Sequence, residues 1–179
     1  WTRPLALAAS PTWRAGWLLA GDTGGTLVAL RAADGEELWR QPLGAPLAQP
    51  PEIDGDHAYA PLADGRIVAL ELATGARRWE RRLDGRPAPP LARGGRVYVG
   101  STDNFFYCLD DEDGDVEWRW RTGADIVGAP IVDEARVYFL SLDNVLRALD
   151  RRSGALRWKR PLDLRPIAGP FRVDGAVLV

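Results

Sequence analysis

Short apolar segments, separated by turns rich in glycine, aspartate and asparagine, recur along the whole chain. Three examples are residues 66–70 (RIVAL), 96–100 (RVYVG) and 136–139 (RVYF). Each is short and rich in β-branched or aromatic residues, a pattern typical of β-strands rather than helices. The pattern therefore predicts an all-β fold.

One eleven-residue pattern occurs four times, at residues 29–39 (ALRAADGEELW), 69–79 (ALELATGARRW), 108–118 (CLDDEDGDVEW) and 148–158 (ALDRRSGALRW). The tryptophans that end the copies are 40, 39 and 40 residues apart; they are Trp39, Trp79, Trp118 and Trp158. Prolines keep the same spacing at Pro11, Pro51, Pro90, Pro130 and Pro170. A fixed period of this length indicates a repeat architecture.

Each period has room for four strands, A to D, which in the fourth period we place at residues 130–133, 136–141, 145–150 and 155–160. Glycine-containing pairs at 54–55, 94–95 and 174–175 separate strands A and B. Four glycines separate strands C and D because glycine accepts the positive φ of a tight hairpin; they are Gly35, Gly75, Gly114 and Gly154. Each period is thus predicted to form one antiparallel meander.

A single meander of this length cannot bury both of its faces, and radial packing of such sheets gives a β-propeller. The tryptophan at the end of each period would then dock its blade onto the next, a contact whose loss costs about 3–5 kcal/mol. A sugar-stacking role for the tryptophans is the alternative. We predict one β-propeller segment over 1–179 with four complete blades. Partial blades flank them, because Trp1 matches a repeat end and 170–179 match a repeat start.

Composition narrows the class of protein further. The chain has 179 residues, a net charge of −2, one cysteine, one histidine and no methionine. It therefore cannot form an internal disulfide or a Cys/His zinc cage, and its near-neutral charge disfavours nucleic acid as a partner. Without a methionine, Trp1 is not a translation start, so we expect a piece of a longer protein. Half of a ring completed by a second copy, and an unusually small ring, are the alternatives.

The repeat resembles the pyrroloquinoline-quinone-type (PQQ-type) β-propeller family, found in quinoprotein alcohol dehydrogenases, sensor domains and the envelope lipoprotein BamB. The four copies of the pattern carry this resemblance over essentially the whole chain. Members of the family usually close seven or eight blades, which needs about 280–320 residues. The resemblance implies the fold strongly and the function weakly, because one propeller hosts many roles.

For the dehydrogenases, the resemblance implies a quinone held with a disulfide of adjacent cysteines, a calcium ion and a catalytic aspartate. This chain has only Cys108 and so lacks the cysteine pair. Its acidic cluster, Asp110, Asp111, Asp113 and Asp115, falls in a C-to-D turn and favours a solvated hairpin over a calcium loop. We therefore expect no catalytic, cofactor or metal residues here; PQQ and calcium belong to the dehydrogenase alternative only.

Three further features favour structural roles. His57 has carboxylate neighbours but no nucleophile, and we place it in an A-to-B turn at the surface. Cys108 takes the place of alanine in the other repeats, which predicts a small buried residue with a slowly reacting thiol. Acidic neighbours nearly cancel the arginine pairs at 77–78, 81–82 and 151–152, so a solvated face is favoured over a phosphate site.

Protein binding is the function that the loops favour. The D-to-A and B-to-C loops share one face, and the D-to-A loops are long and proline-rich. Residues 162–165 (LDLR) resemble the L-x-L-R loop with which BamB engages the barrel-assembly protein BamA. The resemblance makes Leu162, Leu164 and Arg165 candidate partner contacts, although Leu162 also repeats Leu5 and Leu43 as a strand-end residue.

We therefore expect a non-catalytic interaction scaffold, similar to BamB, in the bacterial periplasm or cell envelope. The location rests on the family resemblance alone. Its expected partners are an outer-membrane assembly component and, through open sheet edges, a second copy. The alternatives are a fragment of a PQQ-dependent dehydrogenase and a ligand-sensing propeller of a signalling protein.

Overall fold

The computed structural model describes residues 1–2, 4–163, 165–173 and 176–178. Regular structure within these residues consists of β-strands alone, and no helix that could cross a membrane is found in them. The chain divides into two compact units, Trp1–Arg86 and Pro87–Val179.

The first unit contains two four-stranded antiparallel sheets, which we call blades 1 and 2, each with its strands in chain order. Blade 1 consists of β1 (Thr12–Arg14), β2 (Trp17–Gly21), β3 (Thr26–Arg31) and β4 (Glu37–Pro42). Blade 2 consists of β5 (Glu52–Asp54), β6 (His57–Pro61), β7 (Arg66–Glu71) and β8 (Arg77–Arg82). One apolar core, which includes Leu19, Leu27, Ile53 and Leu70, extends through both blades.

The second unit contains two further four-stranded sheets, blades 3 and 4, and one two-stranded sheet, blade 5. Blade 3 consists of β9 (Leu91–Ala92), β10 (Arg96–Gly100), β11 (Phe105–Asp110) and β12 (Val116–Arg121). Blade 4 consists of β13 (Ile131–Val132), β14 (Arg136–Ser141), β15 (Val145–Asp150) and β16 (Leu156–Pro161). Blade 5 consists of β17 (Phe171–Val173) and β18 (Ala176–Leu178).

The prediction of an all-β propeller with four-stranded blades is confirmed. In the fourth period β14 and β15 match the predicted ranges, and β16 is shifted by one residue from the predicted 155–160. Gly35, Gly75, Gly114 and Gly154 have φ of +70° to +74° in the turns between strands C and D. The predicted turn at 174–175 lies outside the described residues.

The predicted position of His57 in a turn is wrong. His57 is the first residue of β6 and pairs with Asp54 of β5, so the turn contains only two residues, Gly55 and Asp56. The hairpin is tighter than the cluster of polar residues suggested, because Gly55 adopts a φ of +55°. The His57 imidazole lies beside Tyr59, with Nδ1 3.4 Å from the phenol oxygen.

Tryptophans dock one blade onto the next through the same contact in both units. The Trp39 indole N–H of blade 1 donates to the Leu72 carbonyl of blade 2 (2.7 Å), and its ring covers Gly75. In the second unit the Trp118 N–H donates to the Arg151 carbonyl (3.2 Å), and its ring covers Gly154. Each acceptor precedes its glycine by three residues, so the same positions of the repeat make the contact in both units.

Trp1 makes the same contact with blade 1. Its indole N–H donates to the Ala32 carbonyl (3.1 Å) and its ring lies on Gly35, but the side chain is 58% exposed.

Trp79 is buried, with 7% exposure, and its ring centre is 6.0 Å from that of Tyr59. Trp158 is half-buried against Tyr138, with ring centres 5.7 Å apart.

A second contact between blades repeats at the first strand of each blade. The Arg14 guanidinium of β1 donates to the Ile53 carbonyl of β5, and the Arg93 guanidinium donates to the Val132 carbonyl of β13 (3.2 Å). Arg14 is the last residue of β1, and Arg93 directly follows β9. Each bonds to a residue 39 positions later in the sequence. Blades 1 and 2, and likewise blades 3 and 4, are therefore joined near strand A by arginine and near the C-to-D turn by tryptophan.

Gly75 offers a direct test of the tryptophan contact. A Cβ at Gly75, where φ is +71°, would lie 2.6 Å from the Trp39 ring, whereas a Cβ at Gly55 would meet no atom within 4 Å. We expect Gly75→Ala to lower the free energy of unfolding by about 2–4 kcal/mol, since backbone strain and ring displacement add. Gly55→Ala, which causes backbone strain alone, should cost about 1–2 kcal/mol. Equal losses in denaturant titrations would contradict the contact.

Candidate protein-interaction site

The D-to-A loop after blade 4, residues 162–170, is anchored at its first residue. β16 ends at Pro161, and the Leu162 backbone N–H then donates to the Asn144 carbonyl in the B-to-C loop (2.7 Å). The Leu162 side chain packs against the apolar cluster of Tyr138, Leu140 and Leu146. The start of the loop is therefore fixed by the blade from which it leaves.

The end of this loop is fixed against the D-to-A loop of blade 3. A Cβ at Gly169 would overlap the backbone of Ala129, and a Cβ at Gly128 would overlap the backbone of Gly169. The two loops therefore approach each other backbone to backbone, which only glycine permits at these two positions. This close packing holds the end of the loop, as the contacts of Leu162 hold its start.

Between these anchors lies an open cavity of about 610 Å³. Its lining is mainly apolar and includes Leu140, Leu162, Arg165, Pro166, Ile167 and Phe171. Ile167 is 96% exposed and Phe171 is 55% exposed, so two large apolar side chains face solvent beside one cation. Exposed apolar residues around a cavity are typical of a surface that binds another molecule. We call this surface the loop site.

Two of the three residues predicted from the sequence, Leu162 and Arg165, lie in the loop site. Leu162 lines the cavity and also packs against the blade, as its place at the strand end indicated. Leu164 lies outside the described residues. Their role in partner binding stays a prediction.

The sequence analysis missed Leu140, Ile167 and Phe171. Phe171 carries a usable signal because it follows the repeated proline at Pro170, where the equivalent residues are Thr12, Glu52, Leu91 and Ile131. An exposed phenylalanine at that position is unusual for this chain. Nothing in the local sequence distinguishes Leu140 from other buried strand residues.

The B-to-C loops of the second unit are held by their own polar side chains. Asp103 accepts from the Phe105 N–H (2.9 Å) and from the Tyr107 hydroxyl (2.7 Å). Asp143 pairs with Arg147 (2.6 Å) and accepts from the Gly123 N–H of blade 3 (3.1 Å). Partial burial raises the pKa of Asp143, but its bonds with Arg147 and Gly123 outweigh this effect and lower the pKa to about 2. The aspartates therefore hold the B-to-C loops in place through hydrogen bonds and an ion pair within the chain.

The acidic cluster in the C-to-D turn of blade 3 is organised in the same way. Asp110 accepts from the backbone N–H of Glu112 (2.7 Å), and Asp113 accepts from that of Asp115 (2.8 Å). Carboxylates that accept from the backbone two residues onward form Asx-type turns. That this chain holds no metal or cofactor stays a prediction.

Three arginines of the predicted pairs, Arg77, Arg78 and Arg151, contact other groups of the chain. Arg77 pairs with Glu80 (3.0 Å) and Arg78 with Glu71 (2.6 Å). The Arg151 guanidinium donates to the Arg93 carbonyl (3.2 Å) and to the Asp133 carbonyl (3.3 Å), so it bridges blades 3 and 4. These pairs reinforce the sheets.

Cys108 is fully buried in the core of the second unit with Phe106 and Phe139. Its Sγ lies 3.6 Å from an oxygen of Glu117. Burial, and next the negative charge of Glu117, raise the pKa of the thiol well above its usual range. A small apolar role, as predicted, fits this environment better than a reactive thiol.

We expect native Cys108 to react with a thiol-specific disulfide reagent about a hundredfold or more slowly than in denaturant, because a thiolate must form and be reached. Absorbance of the released thiol measures this rate directly, since the chain has only one cysteine. Equal rates in native and denatured protein would contradict the buried position.

Glu52 is a half-buried carboxyl at the junction of blades 1 and 2. Its side chain is 22% exposed, and Arg14 lies 3.6 Å from it and 3.4 Å from Asp54. Burial raises the pKa of Glu52 to about 7; the Arg14 charge opposes this shift, and Asp54 adds to it. A small cavity of about 310 Å³ lies beside the junction, lined in part by Arg14, Ile53 and Asp56.

This shift predicts how stability depends on pH. Between the ordinary pKa of 4.5 and about 7, folded Glu52 holds a proton that the unfolded chain has released. Its contribution to the free energy of unfolding is therefore complete below pH 4.5 and falls by about 1–3 kcal/mol as the pH rises to 7. Glu52→Gln should remove this decline, which denaturant titrations across the range will measure. Parallel profiles for the two proteins would contradict the shift.

Comparison with known proteins decides the family. The model of the family described as "Outer membrane protein assembly factor BamB" matches residues 1–93 and 63–179. This chain belongs to that family. The matches overlap and together cover the chain from end to end, in agreement with the four copies of the repeat.

Curated relatives carry the same description. BamB of Alkalilimnicola ehrlichii is 30% identical over an alignment of 123 residues, and the match covers 63% of this chain and 32% of that protein. BamB of Salmonella typhimurium is 29% identical over 117 residues, 64% of this chain and 22% of that protein. The matched region is thus a third or less of the length of these relatives.

Solved structures share the fold. BamB from Moraxella catarrhalis superposes with a TM-score of 0.69 at 21% identity, over 96% of this chain and 70% of that one. A europium-containing methanol dehydrogenase gives a TM-score of 0.73 at 15% identity, over 85% of this chain and 41% of that one. At these identities the likeness shows the propeller fold alone.

Proposed function

We propose that this chain is a protein-interaction scaffold of the bacterial cell envelope that acts in outer-membrane protein assembly and catalyses no reaction itself. The family match over the whole chain and the names of the curated relatives support this proposal. The dehydrogenase alternative is supported only by likeness of fold, at 15% identity or close to it.

The loop site is the surface that we assign to the partner. Its apolar residues surround an open cavity, and both ends of the loop are anchored, so little loop ordering would oppose binding. Arginine and phenylalanine are both enriched in protein interfaces, and the loop site carries Arg165 and Phe171. The partner we propose is the barrel-assembly protein BamA, which the resemblance of residues 162–165 implies.

Substitutions at two exposed residues test this assignment without disturbing the blade. Ile167 and Arg165 are exposed, so Ile167→Asp and Arg165→Glu should leave the fold intact. Each should weaken binding to purified BamA from the same organism by about tenfold or more, because a hot-spot contact is worth about 2 kcal/mol. Titration calorimetry with the native chain provides the reference affinity.

Leu156→Asp and Arg152→Glu are the matched controls. Both positions are exposed and lie at the C-to-D hairpin of blade 4, away from the loop site. Their affinities should stay within about twofold of the native value. Unchanged binding by both loop variants, or equal losses in the controls, would remove the loop site as the interface; no binding by the native chain would overturn BamA as partner.

A quinone titration tests the competing function. Saturable binding of PQQ with calcium by the chain would contradict a scaffold without cofactors and favour the dehydrogenase alternative.

Self-association through an open sheet edge is the second interaction that we propose, independent of the loop site.

A further inference from the structure

The small cavity at the junction of blades 1 and 2 lies between two sheets that each have all four strands. Its volume of about 310 Å³ is at the lower end of the range typical of small-molecule sites, about 300–1,000 Å³. The A-to-B hairpins of both blades and the C-to-D turn of blade 2 form it, and its lining includes Ala15, Trp17, Asp56 and Leu72. It shares no residue with the loop site.

The repeat relates this cavity to the junction of blades 3 and 4 in the second unit. The Leu72 backbone N–H donates to the Asp56 carbonyl (2.8 Å), and the Arg151 backbone N–H donates to the Ala135 carbonyl (3.0 Å). Arg151 is therefore the counterpart of Leu72, and Ala135 is the counterpart of Asp56. The two junctions differ in charge at both positions.

A guanidinium group fills the junction in the second unit. The Arg151 guanidinium donates to the carbonyls of Arg93 (3.2 Å) and Asp133 (3.3 Å) and to the Tyr98 hydroxyl (3.3 Å). A Cβ at Gly94 would lie 2.7 Å from the same guanidinium, which thus packs directly against the A-to-B turn of blade 3. The first unit has a leucine in place of this arginine and a cavity beside it.

The first unit carries an additional carboxylate at this place. Asp56 lines the cavity, and within the described residues its carboxylate has no hydrogen bond or ion pair. Arg14 also lines the cavity, but Asp54 (3.4 Å) and Glu52 (3.6 Å) offset its charge. Compared with the second unit, the junction has lost a cation and gained a carboxylate, so it attracts a cation from outside.

Trp17 supplies the aromatic part of the lining. It is half-buried, and it packs against the apolar core of the first unit. A guanidinium stacks on the face of an indole and donates at the same time to a carboxylate, because its donors lie in the plane of the group. The cavity therefore combines two features that suit a guanidinium.

We propose that the cavity between blades 1 and 2 binds a guanidinium group, with the Asp56 carboxylate as its acceptor and the Trp17 ring as its aromatic contact. The guanidinium belongs to a free small molecule or to an arginine side chain of a polypeptide, since both present the same planar cation. In either case it takes the place that Arg151 fills in the second unit.

Butylguanidinium is the probe, added to the full chain and followed in ¹H–¹⁵N spectra. Binding should be saturable and should shift the backbone signals of Gly16 and Gly55 in the two A-to-B turns. Butylurea is the matched control, because it has nearly the same shape but no charge. It should bind at least about tenfold more weakly, since a hydrogen bond to a carboxylate is stronger from a charged donor.

Substitutions in the lining locate the site. Asp56→Asn should weaken butylguanidinium binding about tenfold, the loss expected for one hydrogen bond between charged groups. Asp84→Asn, at an exposed aspartate in the D-to-A loop after blade 2, should leave the affinity unchanged. Ala15→Gly should tighten binding about threefold, because it removes a methyl group that stands where the second unit has Gly94.

No saturable binding of butylguanidinium, equal binding of butylurea, or an unchanged affinity in Asp56→Asn would overturn the proposal. A tripeptide with blocked ends and a central arginine between two glycines distinguishes the sources. An affinity within about tenfold of that of butylguanidinium, or above it, indicates an arginine side chain, and a larger loss indicates a free small molecule. Arg165→Glu should leave guanidinium binding unchanged, so this test and the BamA titration can fail independently.

Discussion

The contact between an indole and a turn glycine is the constraint on which the structure depends. Gly35, Gly75 and Gly154 are each required twice, because the positive φ closes the hairpin and because the missing side chain leaves room for the tryptophan ring of the preceding repeat. A four-stranded meander has two apolar faces, and this contact fixes how one blade covers the next. The hydrogen bond from the indole to the backbone carbonyl then sets the register between blades.

Fixed blades leave the loops at the strand ends free to differ. Aspartates brace the B-to-C loops from within, and close glycine packing holds the D-to-A loop after blade 4 at its far end. The result is an open cavity rimmed by Ile167 and Phe171, to which the strands also contribute, since Leu140 lies on β14 and Phe171 on β17. One repeat can thus carry different roles, because the loops that it presents vary while the packing of the blades stays the same.

The ionisable groups outside the loops are mostly structural. Cys108 is sealed in the core, the aspartates of the acidic turn cap backbone N–H groups, and Arg151 ties blade 3 to blade 4. Glu52 is the exception, because its carboxyl is largely withdrawn from solvent beside Asp54 and its charge is only partly compensated by Arg14. The junction of blades 1 and 2 is therefore where pH acts on stability.

The sequence by itself determined the β-propeller, the strand ranges and the turn glycines, because the 40-residue period repeats both the apolar alternation and the tryptophan that ends it. It also singled out Leu162 and Arg165, which line the cavity in the structure, while their role in partner binding stays a prediction. Only the tertiary structure revealed the acceptor of each indole, the turn that excludes His57, and the cavity that joins Leu140, Ile167 and Phe171. These features depend on contacts between residues of different strands and blades. A local sequence pattern does not specify which distant residues come into contact.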